Sequence, residues 1–206
     1  MDTLILEKKN EVYITVDCDP NIQREISEFF TFYVPGYKFM PAFRNRMWDG
    51  KIRLFSQKTK EIYFGLYPYI RAFAEERGYN IVSGEGVEVN NKVDRDIVTK
   101  FSNSLGQKFE ARDYQIDAIY HSLKFNRTLL LSPTASGKSF IIYALIRYYS
   151  HLIKDEPNNR ILLIVPTTSL VEQMYTDFQS YGWNVKNNCH RLYSGYSNKT
   201  DKKVLI

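Results

Sequence analysis

Hydrophobic and polar positions follow different patterns in the two parts of the chain. Up to about residue 105, alternating segments predict strands, and repeats with helical spacing predict helices. The predicted strands are 12–16, 51–55, 61–66, 79–82 and 87–89, and the predicted helices are 21–32 and 68–76. From residue 112 onward, helical repeats alternate with apolar runs at 127–131 and 160–165, and weaker strands are predicted at 189–193 and 203–206.

The two patterns predict two domains. Strands alternating with helices are typical of a parallel sheet with helices on both faces, which binds ligands at the carboxyl ends of its strands. The earlier part predicts a small α+β domain, in which Asp19-Pro20 begins a helix and Gly78 ends another. A polar helix at 93–104 is the predicted linker, so we place the domains at 1–105 and 106–206 within an overall α/β chain.

Residues 132–139 are predicted to bind the phosphates of a nucleotide. An apolar run precedes them and an apolar helical stretch follows, which is the context that a phosphate-binding loop requires. Lys138 would reach the β- and γ-phosphates of ATP and the Ser139 hydroxyl would ligate Mg²⁺, so both are predicted catalytic residues. The alternative is a Gly-Lys-Ser helix start without a ligand. The predicted ATP-binding residues of the loop are Ser132, Pro133, Thr134, Ala135, Ser136, Gly137, Lys138 and Ser139.

The charges indicate a second kind of ligand. The net charge is +5, yet residues 36–60 alone carry seven basic side chains and one acidic side chain. The aromatic residues Tyr37, Phe39, Phe43, Trp48 and Phe55 interleave with them, a combination that suits phosphates and bases together. The alternative is a hairpin with inward aromatic rings and solvated charges. The predicted nucleic-acid-binding residues are Lys38, Arg44, Arg46, Trp48, Lys51, Arg53 and Lys58.

The composition excludes several classes of protein. Hydrophobic residues make up 44% of the chain and aromatic residues 15%, which argues against disorder. Cys18 and Cys189 lack metal-ligand spacing and indicate a reducing compartment. Neither a signal peptide nor a run of membrane-spanning length is found, so a cytoplasmic protein is expected. A monomer is expected as well.

The loop resembles that of superfamily 2 helicases, which commonly have a small residue at the position of Ser132 followed by Pro-Thr. Arg112 and Gln115 then resemble the Q motif, whose glutamine reads the adenine edge; the alternative is an ordinary first helical turn. Pro166, Thr167, Thr168 and Gln173 resemble motif Ia, which holds a nucleic-acid phosphate at a helix start. The alternative there is a plain N-cap at Thr168 or Ser169, with Glu172 closing a capping box.

A more specific resemblance covers essentially the whole chain. Residues 36–44, the string Trp-Asp-Gly-Lys-Ile-Arg-Leu at 48–54, and Phe-Gly-Leu at 64–66 resemble the UvsW family of recombination and repair helicases of T-even bacteriophages. This resemblance implies an ATP-dependent enzyme that unwinds or remodels branched DNA, including stalled forks, Holliday junctions and R-loops. It also implies a partial RecA-like second domain. Single-stranded or branched DNA, and RNA in R-loops, are the implied partners.

One helicase element is missing from the sequence. No Asp-Glu-x-His or Asp-Glu-x-Asp string follows residue 173, so the chain is expected to be an N-terminal fragment truncated before that motif, inactive in hydrolysis by itself. Two alternatives remain open, a DNA-binding module without turnover and a part of a restriction-type translocase.

Overall fold

A computed structural model describes residues 2–88 and 91–206. Its contacts divide the chain into two compact units, Met1–Val89 and Asn90–Ile206. The predicted strand at 87–89 is wrong at Val87 and Glu88, which have no strand structure, and Val89 lies outside the described residues. The predicted α/β class is confirmed, since both units combine helices with sheets.

The first unit has seven strands and three α-helices among its described residues. They are β1 (Thr3–Lys8), β2 (Tyr13–Asp17), α1 (Pro20–Phe29), β3 (Thr31–Tyr33), α2 (Pro41–Arg44), β4 (Lys51–Arg53), β5 (Phe55–Ser56), β6 (Glu61–Tyr63), α3 (Tyr67–Arg77) and β7 (Asn80–Ser83). Short 3₁₀ helices occupy Tyr37–Phe39 and Phe64–Leu66.

A five-stranded sheet in the order β5-β6-β2-β1-β7 organises this unit. Strand β1, which the sequence patterns did not reveal, pairs antiparallel with β2 and parallel with β7. Leu4 and Leu6 are buried at alternate positions, as a half-buried strand requires. They share one apolar core with side chains of α1 and α3, such as Ile26 and Phe73.

Strands β3 and β4 form a separate antiparallel ribbon, with Phe32 opposite Ile52. The predicted continuous strand 51–55 is therefore divided, because β4 pairs with β3 whereas β5 pairs with β6. The ribbon closes the loop 34–50, where the Val34 amide donates to the Gly50 carbonyl at 2.9 Å. Three of the seven basic residues of the stretch 36–60, Lys38, Arg44 and Arg46, thus lie in one loop.

The second unit alternates helices and short strands. They are α4 (Arg95–Asn103), α5 (Asp113–Phe125), α6 (Lys138–Leu152), β8 (Ile161–Leu162), α7 (Thr168–Ser180), α8 (Val185–Asn188), β9 (Cys189–His190) and β10 (Val204–Leu205). The three strands form a parallel sheet in the order β8-β10-β9. Ile119 of α5, Phe140 of α6 and Phe178 of α7 belong to one buried core. The unit is a partial RecA-like domain.

The predicted strand 127–131 is wrong. The segment joins α5 to the phosphate-binding loop without strand structure, and no described strand pairs with it. A strand of a parallel sheet needs a hydrogen-bonded neighbour and cover on both faces. Here Leu129 and Leu131 are 84% and 89% exposed, so the apolar run has neither a neighbouring strand nor cover on its faces.

The boundary between the units also differs from the predicted 105/106, because the helix expected to be a linker packs in the second unit. Val98 of α4 and Leu105 are buried in the second core, and α4 contacts α5. The Tyr143 hydroxyl donates to the Leu105 carbonyl at 3.1 Å inside this core. Val98 and the half-buried Phe101, three residues apart, lie on the face of α4 that packs against this core.

Candidate nucleotide and nucleic-acid sites

The phosphate-binding loop ends at Gly137, which begins α6 as its N-cap. Gly137 has φ +78°, a left-handed conformation that favours glycine. A Cβ at this position would lie 2.4 Å from Nε2 of Gln115, so no larger residue fits without displacement. The glycine therefore allows both the sharp turn and close contact with α5.

Lys138 lies in the first turn of α6, and its ammonium turns back into the loop. Nζ donates to the carbonyl of Ser132 at 3.1 Å and to that of Pro133 at 2.6 Å. The Ser136 hydroxyl donates to the same Pro133 carbonyl at 2.9 Å and also contacts the Ser132 hydroxyl. The loop is thus curled around a cation at a helix N-terminus, which fits a phosphate group.

Gln115 connects α5 with this loop. Its Oε1 accepts from the Arg112 amide at 3.0 Å, and its Nε2 donates to the carbonyls of Ser136 and Gly137 at 3.3 and 3.4 Å. The Tyr114 hydroxyl also donates to the Ser136 carbonyl, at 2.8 Å. Gln115 is buried, and its hydrogen bonds to the two carbonyls support the loop directly. The contact with adenine remains a prediction.

A cleft of about 540 Å³ lies beside the loop. It is bounded by Tyr114 and His121 of α5, by residues 129–136 and by Ile141 of α6. Arg112 is exposed near one end of α5, and its guanidinium donates to the Tyr114 hydroxyl at 2.9 Å. The cleft is large enough for a small ligand.

Mg²⁺ would depend on few protein ligands here. In the parts of the chain that the structure describes, no three or more His, Cys, Asp or Glu residues are grouped so as to hold a metal ion. The half-buried Ser139 follows Lys138 in the first turn of α6. Its hydroxyl suits an ion that is held mainly by phosphate oxygens, because Mg²⁺ prefers oxygen ligands and retains water.

The second predicted phosphate site lies at the start of α7. Thr167 is the N-cap, and its hydroxyl accepts from the Leu170 amide at 3.3 Å. The alternative N-cap at Thr168 or Ser169 is therefore wrong by one or two positions. Pro166, Thr167, Thr168 and Gln173 are all exposed, as a nucleic-acid contact requires.

Glu172 does not close a capping box. It accepts from the Arg191 guanidinium at 2.7 Å and from the Tyr193 hydroxyl at 2.5 Å, and these contacts, Tyr193 first, lower the pKa of Glu172. Tyr175 and Tyr196 flank Arg191, with ring centres 4.4 and 4.5 Å away. This cluster ties α7 to the segment after β9. Local sequence could not reveal it, because its members are distant in the chain.

The basic residues of the first unit divide into two groups. Lys38, Arg44, Arg46 and Lys58 are exposed and form no ion pair with any described residue. Arg53, by contrast, pairs with Asp49, which lowers the pKa of Asp49. The predicted residues are therefore not equally available to phosphates.

Six of the seven predicted residues line two clefts. Lys38, Arg44, Arg46 and Trp48 line a cleft of about 550 Å³, whereas Lys51 and Arg53 line another of about 360 Å³. Lys51 lies over the ring of Tyr33, with Nζ 4.9 Å from the ring centre. Lys58 is separate, in the turn between β5 and β6.

Three aromatic residues form a ring stack, Tyr33 of β3 and Tyr37 and Phe43 of the loop. The rings of Tyr33 and Tyr37 stack at 4.7 Å, and Phe43 meets Tyr37 edge-on at 4.8 Å. Trp48 is half-buried, and its Nε1 donates to the Lys51 carbonyl at 2.9 Å. Phe55 is buried in the core, so it is not part of this surface.

Together, the parallel sheet, the loop around Lys138 and the exposed start of α7 define a P-loop protein of the helicase class. Residues 108–206 match the family described as "Type III restriction enzyme, res subunit", and residues 5–83 match "DNA helicase UvsW, N-terminal". The chain belongs to the UvsW helicase family, which confirms the resemblance described above.

Individual relatives agree with this placement. The chain is 33% identical over 174 residues to "ATP-dependent DNA helicase uvsW" of Enterobacteria phage T4, covering 82% of this chain and 34% of that protein. The crystal structure of the UvsW helicase from bacteriophage T4 matches with 30% identity and a TM-score of 0.85, over 100% of this chain and 74% of that one. A second T4 UvsW structure gives the same values over 42% of its chain. The chain thus spans about a third of its curated relative.

One further observation concerns membranes. Among the described residues, no helix combines the length and the apolar character needed to cross a lipid bilayer.

Proposed function

We propose that this chain is the N-terminal part of an ATP-dependent DNA helicase that unwinds or remodels branched nucleic acids. The first unit would be the accessory nucleic-acid-binding domain, and the second would be part of the first motor domain. Forks, Holliday junctions and R-loops in phage replication, recombination and repair are the proposed substrates, acted on by a monomer in the host cytoplasm. Family membership and the name of the T4 relative support this proposal.

The loop around Lys138 is the observation that carries the proposal. Phosphate oxygens can replace the Ser132 and Pro133 carbonyls that now accept from Nζ, while the first amides of α6 add further donors. The Ser139 hydroxyl would hold Mg²⁺, which neutralises charge on the phosphates when bound. Arg112 and Gln115 would hold the adenine, since they lie on either side of Tyr114, which lines the cleft, at the start of α5.

Nucleic acid would be held at two places. Exposed hydroxyls and amides around Thr167 and Thr168 can donate to a backbone phosphate, with Gln173 one turn further along α7. In the first unit, Lys38, Arg44, Arg46 and Lys58 offer unpaired cations. Hydrolysis is expected only from a protein that also contributes an Asp-Glu-x-His or Asp-Glu-x-Asp motif. This sequence has no such string after residue 173.

The test is to measure binding of a fluorescent ATP analogue and of a forked DNA by the same samples. Lys138→Ala should weaken nucleotide binding by about tenfold or more, because it removes a charge-assisted contact. Binding of the fork should change little. Lys186→Ala, which removes an exposed lysine of α8, is the matched control. Equal loss of both ligands would show that the assignment of functions to the two units is wrong.

A restriction-type translocase is the second candidate, since the match to the restriction-enzyme subunit covers residues 108–206. The match of residues 5–83 to the N-terminal UvsW domain favours the helicase. Preference for a fork over a linear duplex of equal length would support the helicase. Equal affinity for the two would favour the second candidate.

A further inference from the structure

Two large apolar side chains of the first unit are almost fully accessible in the middle of the basic loop. Phe39, at the end of the 3₁₀ helix Tyr37–Phe39, is 79% exposed, and Met47 is 74% exposed. Other aromatic residues of the loop, such as Tyr37 and Phe43, are half-buried in the ring stack. Phe39 and Met47 therefore contribute little to the folding of the loop.

Each of these two residues directly follows a basic residue in the chain. Lys38 precedes Phe39 in the chain, and Arg46 precedes Met47. Met47 also lines the cleft of about 550 Å³ together with Lys38, Arg44 and Arg46, and the acidic residue of that cleft, Asp49, is paired with Arg53. Apolar groups next to cations that lack acidic partners suit a polyanion that also presents apolar faces. Nucleic acid has this chemistry, whereas an apolar protein surface would leave the cations uncompensated.

The loop holds these residues in a defined geometry. The Met47 amide donates to the Ala42 carbonyl at 2.9 Å, and Arg46 has φ +56°, a conformation that is uncommon for a residue with a side chain. Gly50 (φ +78°) lies under the ring of Tyr37, and a Cβ there would be 2.3 Å from that ring. Backbone strain such as that of Arg46 is retained where the surroundings enforce it, and it is frequent at binding sites.

We propose that Phe39 and Met47 contact unstacked bases of a single DNA strand, while Lys38, Arg44 and Arg46 bind the adjacent phosphates. This inference rests on the proposed nucleic-acid-binding function of the first unit and specifies what that unit recognises. Every base has an apolar face, but base pairing and stacking cover most of these faces in a duplex. The first unit would therefore prefer unpaired strands, such as those exposed at a branch point.

The test compares two DNA oligomers with the same phosphates, a dT strand of about 12 nucleotides and an abasic strand of the same length, which suits the size of single-strand sites. The chain should bind the dT strand about tenfold more tightly, because stacking on one base contributes roughly that factor. Phe39→Ala combined with Met47→Ala should remove the difference and leave the affinity for the abasic strand unchanged. Tyr69→Ala, which removes a 60% exposed ring of α3, is the control and should retain the preference for the dT strand.

Salt dependence distinguishes this inference from the function on which it rests. The double variant should keep the slope of log affinity against log salt, since no phosphate contact is removed. Equal affinity of the unmodified chain for the two strands, with a normal slope, would overturn the base contacts alone. Binding of neither strand, or binding without salt dependence, would overturn the nucleic-acid-binding function of the first unit as well.

Discussion

The side-chain amide of Gln115 lies directly against the backbone of Gly137, so that a Cβ on Gly137 would be 2.4 Å from Nε2. The same amide donates to the carbonyls of Ser136 and Gly137. The start of α5 and the phosphate-binding loop are therefore one structural group. A change in the loop should be transmitted to α5, and the reverse should also hold.

Gly137→Ala should weaken nucleotide binding and destabilise the second unit. The left-handed backbone costs a residue with a Cβ about 1 kcal/mol, and displacement of Gln115 would lose hydrogen bonds of about 1 kcal/mol each. We therefore expect the free energy of unfolding to fall by roughly 2–3 kcal/mol. Denaturant unfolding and titration with a fluorescent ATP analogue would measure the two effects.

Gly195→Ala is the control for this prediction. Gly195 lies in the same unit with φ +100°, but nothing lies within 4 Å of a Cβ built there. It should cost only a backbone penalty, which is at least about 1 kcal/mol because φ +100° lies beyond the left-handed helical region, and it should leave nucleotide affinity unchanged. If both alanine variants lost the same stability and bound nucleotide equally well, the contact between Gln115 and Gly137 would have no energetic importance.

The position of α4 leads to a prediction about fragments. Because Val98 and Leu105 are buried in the second core, a fragment of residues 106–206 should be less stable than one of residues 91–206. The shorter fragment lacks both side chains, and the loss of their burial against the core costs about 3–6 kcal/mol. Thermal unfolding followed by circular dichroism would compare the fragments. Equal stability would restore the boundary at residue 106 that the polar character of α4 suggested.

Local signals of the sequence were the most reliable guide to the fold. Asp19 caps α1 by accepting from the Asn21 amide at 2.8 Å, and Gly78 ends α3 with φ +70°, both as predicted. Such signals act within one turn of chain, so they need no tertiary context. The prediction that residues 132–139 bind phosphates also rests on local signals, since the glycine, lysine and serine of this loop are adjacent in the chain.

Features that depend on distant residues could not be predicted in this way. Strand β1 pairs Thr3 with Asn80, a contact that no local pattern encodes. The run 127–131 has the composition of a strand, but composition does not supply the neighbour that a strand requires. In the basic stretch, charge counting treated Arg53 as equal to Arg46, whereas the structure pairs Arg53 with Asp49.

The number of available cations sets the expected salt dependence. If Lys38, Arg44, Arg46 and Lys58 each contact one phosphate of duplex DNA, the slope of log affinity against log salt should be about −3 to −4. Arg44→Ala combined with Arg46→Ala should reduce its magnitude by roughly 2. Fluorescence anisotropy over a salt series would measure both slopes. An affinity that did not vary with salt would contradict the phosphate contacts.

Asp49→Asn should strengthen nucleic-acid binding, because Asp49 now holds Arg53 and adds a negative charge beside the cleft. Asparagine can still accept from the Lys51 amide, which donates to Asp49 at 3.1 Å, so the turn should be retained. With Arg53 released, the salt slope should steepen by up to about 0.9. Glu85→Gln removes one charge from an exposed position elsewhere in the unit and is the control.

The pKa of Asp49 provides an independent measurement of the same pair. The Arg53 guanidinium lowers the pKa of Asp49, and the Lys51 amide acts in the same direction. A carboxyl whose folded pKa is lowered contributes stability above its unfolded pKa of about 3.9, and that contribution is lost as the pH falls through the folded value. A carbon-13 titration should therefore place the Asp49 midpoint below that of a free aspartate, and Arg53→Gln should raise it again. An Asp49 midpoint unaffected by Arg53→Gln would mean that the pair does not form in solution, and Asp49→Asn should then leave the salt slope unchanged.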